Sequence, residues 1–255
     1  MIQLLKESTF AVNDVIKRSW DLLKTHYFSV AGLCLCLFVT SNTSGILAFY
    51  LNEVNTILRA FMAFMFVIVY FGIQLTLFKY ILKVIDHQQK IALSDTIPST
   101  KELMYFFMAM LSISALVLVV YLGISVLAWP LIYLFDMNMI IQANLVVTAI
   151  VTFVFMLRAA FYPFFIIDQS ETPIRSIRLS IALTKGNITK LLLILAFFAI
   201  LHLLYIYFNY TGNPVISTAL SFISSFFVVP LSSVVIAMAY HKMMKEHRTI
   251  EPLVV

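Results

Sequence analysis

The chain has 255 residues, of which 62% are hydrophobic and 11% charged, with a formal net charge of +5. A soluble domain carries about 25% charged residues, so this composition leaves too little polar surface to cover a water-soluble core and assigns most of the chain to lipid. At about 20 residues per crossing the length accommodates roughly six membrane helices and short connections, without room for a separate catalytic domain.

Residues 1–26 contain Lys6, Glu7, Asp14, Lys17, Arg18, Asp21 and Lys24 ahead of any long apolar stretch. That is unlike a cleavable signal peptide, and the first span is expected to serve as its own uncleaved insertion signal. Over residues 8–26, Val12, Ile16, Trp20 and Leu23 fall at helical spacing with the charges largely around the rest. The pattern predicts an amphipathic helix lying in the cytoplasmic interface.

Apolar runs over 27–51, 57–82, 103–135, 140–167, 188–208 and 215–240 predict six spans, leaving 241–255 as a tail. The third run is long enough for a tilted or kinked helix. In the first, Cys34 and Cys36 lie two apart, point in different directions on a helix and are packing residues rather than a disulfide. Ser41-Asn42-Thr43-Ser44-Gly45 interrupts the same run, so the helix either ends near Thr40 or continues through a break. Ser99 and Glu102 have the spacing of a capping box ahead of span three, and Asn213-Pro214 supplies a cap and an N1 proline for span six.

The 17 Lys and Arg orient the spans. They collect before span one, around the second and fourth connections and after span six, leaving only Arg59 and Arg158 inside spans. Connections one, three and five carry none. By the positive-inside rule both termini are cytoplasmic, and the short outer connections make three helical hairpins. The fold class is therefore all-α: a polytopic membrane bundle of six helices as three hairpins, with cytoplasmic interfacial helices.

The second interfacial helix is expected over 172–186. Thr172-Pro173 starts it, Ile174, Ile177 and Ile181 form its apolar stripe, Arg175 and Arg178 face headgroups, and Gly186 ends it. Its core aligns with the N-terminal segment: Ile16-Lys-Arg-Ser19-Trp-Asp-Leu22-Leu-Lys24 against Ile177-Arg-Leu-Ser180-Ile-Ala-Leu183-Thr-Lys185, with Ile91-Ala-Leu-Ser94 as a fainter echo. Either the chain holds three units of one interfacial segment and two spans, or helices at a basic interface simply reuse Ile, Leu, Ser and Lys.

The stretch Arg158-Ala-Ala-Phe-Tyr-Pro-Phe-Phe-Ile-Ile-Asp168, followed by Ser176-Ile-Arg-Leu-Ser-Ile-Ala-Leu-Thr-Lys-Gly-Asn187, resembles a pattern in bacterial six-span proteins. These include the YciC-type inner-membrane family and the membrane region of glycerophosphoryl diester phosphodiesterases. The resemblance implies a six-span inner-membrane protein, with Arg158, Pro163, Asp168, Ser180, Lys185 and Gly186 as motif positions. It carries over no catalytic residue, because the phosphodiesterase activity belongs to a fused domain that this sequence lacks.

Arg158 is the most informative single residue. It sits about nine residues before the inner end of span four, roughly 13 Å deep, and points away from the nearer water. An unpaired arginine there costs at least ~2.5 kcal/mol, so it needs a partner. Pro163 cannot donate to the Ala159 carbonyl, which offers one; the other candidates, Gln74, Asn144 and His202, lie in apolar spans. Arg158 is then either a pin that joins helices through carbonyls or an anion or headgroup site. His202 is expected to be a hydrogen-bonded packing residue, and Asp168 either pairs with Arg175 or Lys185 or merely caps a helix end. Asp86-His87 and His241 with His247 suggest metal only superficially, and Pro130 and Pro230 mark kinks or hinges.

Gly-rich phosphate loops, nucleophile elbows, His-Glu-x-x-His and cysteine metal clusters are absent from the sequence. The expectation is a non-enzymatic protein of the bacterial cytoplasmic membrane, without cofactor or metal, acting in envelope or lipid homeostasis as a helper or membrane subunit. Its partners would be the bilayer, anionic headgroups at the cytoplasmic face and a membrane protein, not nucleic acid. The alternative is a small carrier or channel for an anionic solute or headgroup, using Arg158.

Overall fold

The computed structural model describes residues 11–50, 56–87, 91–130 and 136–250, with the backbone alone at 48, 49, 87, 214 and 247–250. All regular structure among them is helical. The helices are α1 (Val12–Tyr50), α2 (Thr56–His87), α3 (Thr100–Ala128), α4 (Met137–Ala159), α5 (Tyr162–Gln169), α6 (Pro173–Leu183), α7 (Ile188–Tyr210), α8 (Pro214–Ile223) and α9 (Val229–Ile250). A 3-10 turn spans Leu93–Thr96, and a π-helical turn over Ser224–Val228 joins α8 to α9. Six stretches are long and apolar enough to cross a membrane: Val12–Leu47, Thr56–Asp86, Thr100–Ala128, Met137–Gln169, Ile188–Tyr210 and Val215–Glu246. They match the six expected spans in order.

The chain divides into two compact units, residues 1–103 with 189–255, and residues 104–188. In the first unit α1, α2 and α9 pack on one another. Val15, Leu23 and Val30 of α1, Leu75, Ile81 and Val84 of α2, and Val234, Val235 and Tyr240 of α9 form its core. Ala237 and Ala239, both fully buried, let the helices approach closely.

Helix α1 carries a kink at His26, whose φ −116° and ψ 20° are non-helical, so Val12–Tyr50 is two helical segments that meet where the interfacial segment was expected to give way to the first span. The helix also runs through Ser41 to Gly45 without ending near Thr40 or breaking. The reason is local. Thr40 Oγ1 donates to the Cys36 carbonyl (2.7 Å), Asn42 Nδ2 to that of Phe38 (2.8 Å) and Ser44 Oγ to that of Ser41 (2.7 Å). These polar side chains are satisfied by their own helix, so no interruption is required.

The two proline-bearing spans break in different ways. Span four splits into α4 and α5 around Ala160–Phe161, with Pro163 in the first turn of α5. Span six passes through the π turn just before Pro230. Pro230 has no N–H to give the Phe226 carbonyl, and the Tyr27 hydroxyl donates to that carbonyl instead (3.0 Å). Pro130 lies beyond the end of α3, in a short 3-10 turn, so the third helix is shorter than its apolar run. Residues 131–135 of that run, and residues 1–10 of the expected interfacial helix, lie outside the described residues.

The capping box forms as expected. The Ser99 N–H donates to Glu102 Oε2 (2.6 Å) and the Glu102 N–H to Ser99 Oγ (3.2 Å). Glu102 has a second duty that spacing alone does not reveal, a mostly buried ion pair with Lys79 Nζ at 3.0 Å.

On both amphipathic segments a serine lies within the buried face. On α1 the fully buried positions are Val15, Ser19 and Leu23, while Trp20 is 40% exposed with the Lys24 ammonium 5.3 Å from its ring centroid. On α6 the buried positions are Ser176, Ser180 and Leu183, while Ile174 is 67% exposed. On α6 the hydroxyl-bearing face meets backbone groups that need partners, and on both segments a bulky apolar residue turns outward.

Candidate functional site

In the second unit, the nick between α4 and α5 leaves backbone groups that an intact helix would satisfy among themselves. The Arg158 carbonyl loses the Tyr162 N–H, and the Phe161 N–H loses the Leu157 carbonyl. Ser180 of α6 serves both: its hydroxyl donates to the Arg158 carbonyl (2.8 Å) and accepts from the Phe161 N–H (3.0 Å). Thr184 Oγ1 stands 3.3 Å from the same carbonyl. A buried Ser-Thr face thus docks α6 on the break through the Arg158 carbonyl.

The Arg158 guanidinium is half-buried in the last turn of α4, where the helix dipole favours a cation. Its Nε is buried with no hydrogen-bond partner among the described residues. As a pin, therefore, Arg158 acts through its main chain and not through its side chain.

The other candidate residues do not converge on it. Asn144 lies on the same helix fourteen positions earlier, about 21 Å along the axis, and its Nδ2 donates to Ser125 Oγ of α3 (2.8 Å). Gln74 keeps its Oε1 buried without a hydrogen-bond partner among the described residues. His202 is exposed on α7 and stacks on Tyr205 at 6.0 Å, a ring contact in place of the expected hydrogen bond. Arg175 pairs with Glu171 (3.2 Å), a residue not considered in the sequence, while Asp168, Arg178 and Lys185 are exposed. Gly186 adopts φ +87° in the turn after α6, the left-handed conformation expected of a helix terminator.

A second constellation was missed. At the basic end of the first unit, the segment of α1 before the His26 bend meets the ends of α2 and α9 around a cleft of ≈490 Å³. His26 Nδ1 lies 3.3 Å from the Tyr80 hydroxyl, and His241 Nε2 lies 2.9 Å from Asp86 Oδ1. Arg18, Lys242 and Lys245 line the cleft with Asp21 as the opposing charge, and Lys242 Nζ reaches Asp14 at 4.0 Å. The available signal was the i, i+3 spacing of Lys242 and Lys245, which charge counting absorbed into topology. A second hollow of ≈400 Å³ in the same unit includes Arg59, Thr40 and Ser44, but the hydroxyl protons of Thr40 and Ser44 are already spent on α1 carbonyls.

Among the described residues no three His, Cys, Asp or Glu side chains gather in a metal-binding arrangement. No protein-family model, curated protein or solved structure matches the chain.

Proposed function

We propose that this chain is a non-enzymatic multi-pass protein of the bacterial cytoplasmic membrane, with both termini inside, serving envelope or lipid homeostasis as a helper or membrane subunit. One observation carries the reading: four polar contacts of the apolar helices join one helix or segment to another. Ser180 closes the α4–α5 nick, Asn144 bonds α4 to α3, Tyr27 supplies the carbonyl freed by Pro230, and Lys79 pairs with Glu102. Groups engaged in this way build a scaffold rather than a reaction centre. The segregation of Lys and Arg supports the orientation, and the resemblance of residues 158–190 to YciC-type proteins supports the setting.

A carrier for an anionic solute or headgroup is the second reading, favoured by the unsatisfied, buried Nε of Arg158. Native mass spectrometry of the gently solubilised protein, wild type against Arg158→Gln, separates the two. The scaffold reading expects a co-purifying protein retained by both forms. A defined small anion or lipid bound by wild type and lost from Arg158→Gln would overturn it in favour of the carrier.

A further inference from the structure

We propose that the cleft between the first segment of α1 and the ends of α2 and α9 binds the phosphate of an anionic glycerophospholipid headgroup. The proposal rests on the reading above that this end of the bundle meets the inner headgroup layer. Its lining has the chemistry that such a group demands. Three cations, Arg18, Lys242 and Lys245, face one carboxylate, Asp21. Arg18 makes no hydrogen bond or ion pair with any described residue, which leaves its planar fork available for two phosphate oxygens.

The neighbouring carboxylates Asp86 and Asp14 are not part of the lining. Asp86 Oδ1 lies 2.9 Å from His241 Nε2. Asp14 meets Lys242 only at 4.0 Å, with its own side chain exposed, the kind of pair that contributes little and that an incoming phosphate displaces at small cost.

Size and depth select a lipid over a free ion. A volume of ≈490 Å³ lies in the range of small-molecule pockets and far exceeds what one tetrahedral anion fills. The lining combines these charges with apolar Leu22, Ile85 and Met238, so a ligand that is anionic at one end and aliphatic at the other matches both parts. The lining residues also straddle the boundary where apolar runs meet charged ends: α1 turns apolar after His26, α2 ceases to be so after Leu82, and α9 after Tyr240. That is headgroup depth. The His26–Tyr80 contact holds the bent segment of α1 against α2, and so keeps the rim over the floor.

The test is equilibrium binding of a fluorescent short-chain phosphatidylglycerol to the full-length protein in neutral detergent, read by polarisation. Competitors are unlabelled phosphatidylglycerol, phosphatidylcholine and inorganic phosphate. Detergent presents the ligand to the whole surface, so the result does not depend on how the chain inserts, nor on whether a protein partner co-purifies. Arg18→Gln with Lys242→Gln is expected to weaken binding about thirtyfold, roughly fivefold for each basic side chain removed near an anionic group. Lys17→Gln removes the adjacent exposed charge outside the cleft and is expected to leave binding unchanged. Asp21→Asn is expected to tighten it, a gain that a misfolded variant does not produce. Competition by phosphatidylglycerol but not by inorganic phosphate supports the lipid source. Equal competition by millimolar phosphate overturns the lipid source, leaving a free-anion site. Equal losses in Lys17→Gln and Arg18→Gln, or no loss in either, overturn the cleft as a site.

Discussion

Ser19 and Ser180 occupy matching places in the two aligned segments, and both are fully buried, yet their hydroxyls are in opposite situations. Ser180 holds the Arg158 carbonyl and the Phe161 N–H together, whereas Ser19 Oγ has no hydrogen-bond partner among the described residues. Removing a hydroxyl that satisfies two buried backbone groups exposes their desolvation penalty; removing an unbonded one does not. Ser180→Ala is therefore expected to lower stability by about 1–3 kcal/mol, moderated by Thr184, and Ser19→Ala to be neutral or slightly stabilising. Chemical unfolding in detergent micelles checks both, and equal effects would remove the bridging role of Ser180. The motif position was legible in the sequence, because Ser180 stood out in the repeat and in the family resemblance. Its partner was not, because the Arg158 carbonyl needs a donor only once the chain has left the helix, one residue before the carbonyl to which Pro163 pointed.

At the scale of elements, each proline-disturbed span is repaired by a side chain from elsewhere in its own unit. Tyr27 does for Pro230 what Ser180 does for the α4–α5 nick. Tyr27→Phe deletes the donor to the Phe226 carbonyl and is expected to cost about 0.5–1.5 kcal/mol. With Pro230→Ala the helix regains a backbone donor for that carbonyl, so in this background the Tyr27→Phe penalty is expected to shrink by at least half. A double-mutant cycle reads the coupling, and strictly additive effects would show that Tyr27 does not serve the freed carbonyl. The recurrence of such docking extends to the segments at the basic end: α6 packs on α4 and α5, the 3-10 turn on α2 with Lys83 Nζ bonded to the Asp95 carbonyl, and the first segment of α1 on α9. Each segment covers the end of the preceding span, and the first covers the last.

For the molecule as a whole, the testable property is orientation. In a background with Cys34 and Cys36 replaced by Ala, Asn213→Cys and Lys185→Cys place single thiols at exposed turns on opposite sides of α7. A membrane-impermeant maleimide applied to intact cells is expected to label Asn213→Cys, and Lys185→Cys only after lysis. The reverse pattern would invert the topology and place the Arg18 cleft at the outer face, away from the proposed inner headgroups.

Hydropathy summed over twenty residues is a local property that no partner can change, and it determined the number and order of the spans; the capping box, a four-residue pattern, was equally self-contained. Which face each amphipathic segment buries was decided only in the tertiary structure. Ser180 meets the backbone groups freed at the α4–α5 nick, whereas Ser19 is buried on the same face as Val15 and Leu23 without a hydrogen-bond partner among the described residues. The continuity of α1 through Ser41 to Gly45 likewise depended on side chains bonding back to their own carbonyls. The Arg18 cleft needed a bend at His26 and two helix ends more than fifty residues away, a juxtaposition that no spacing along the chain encodes.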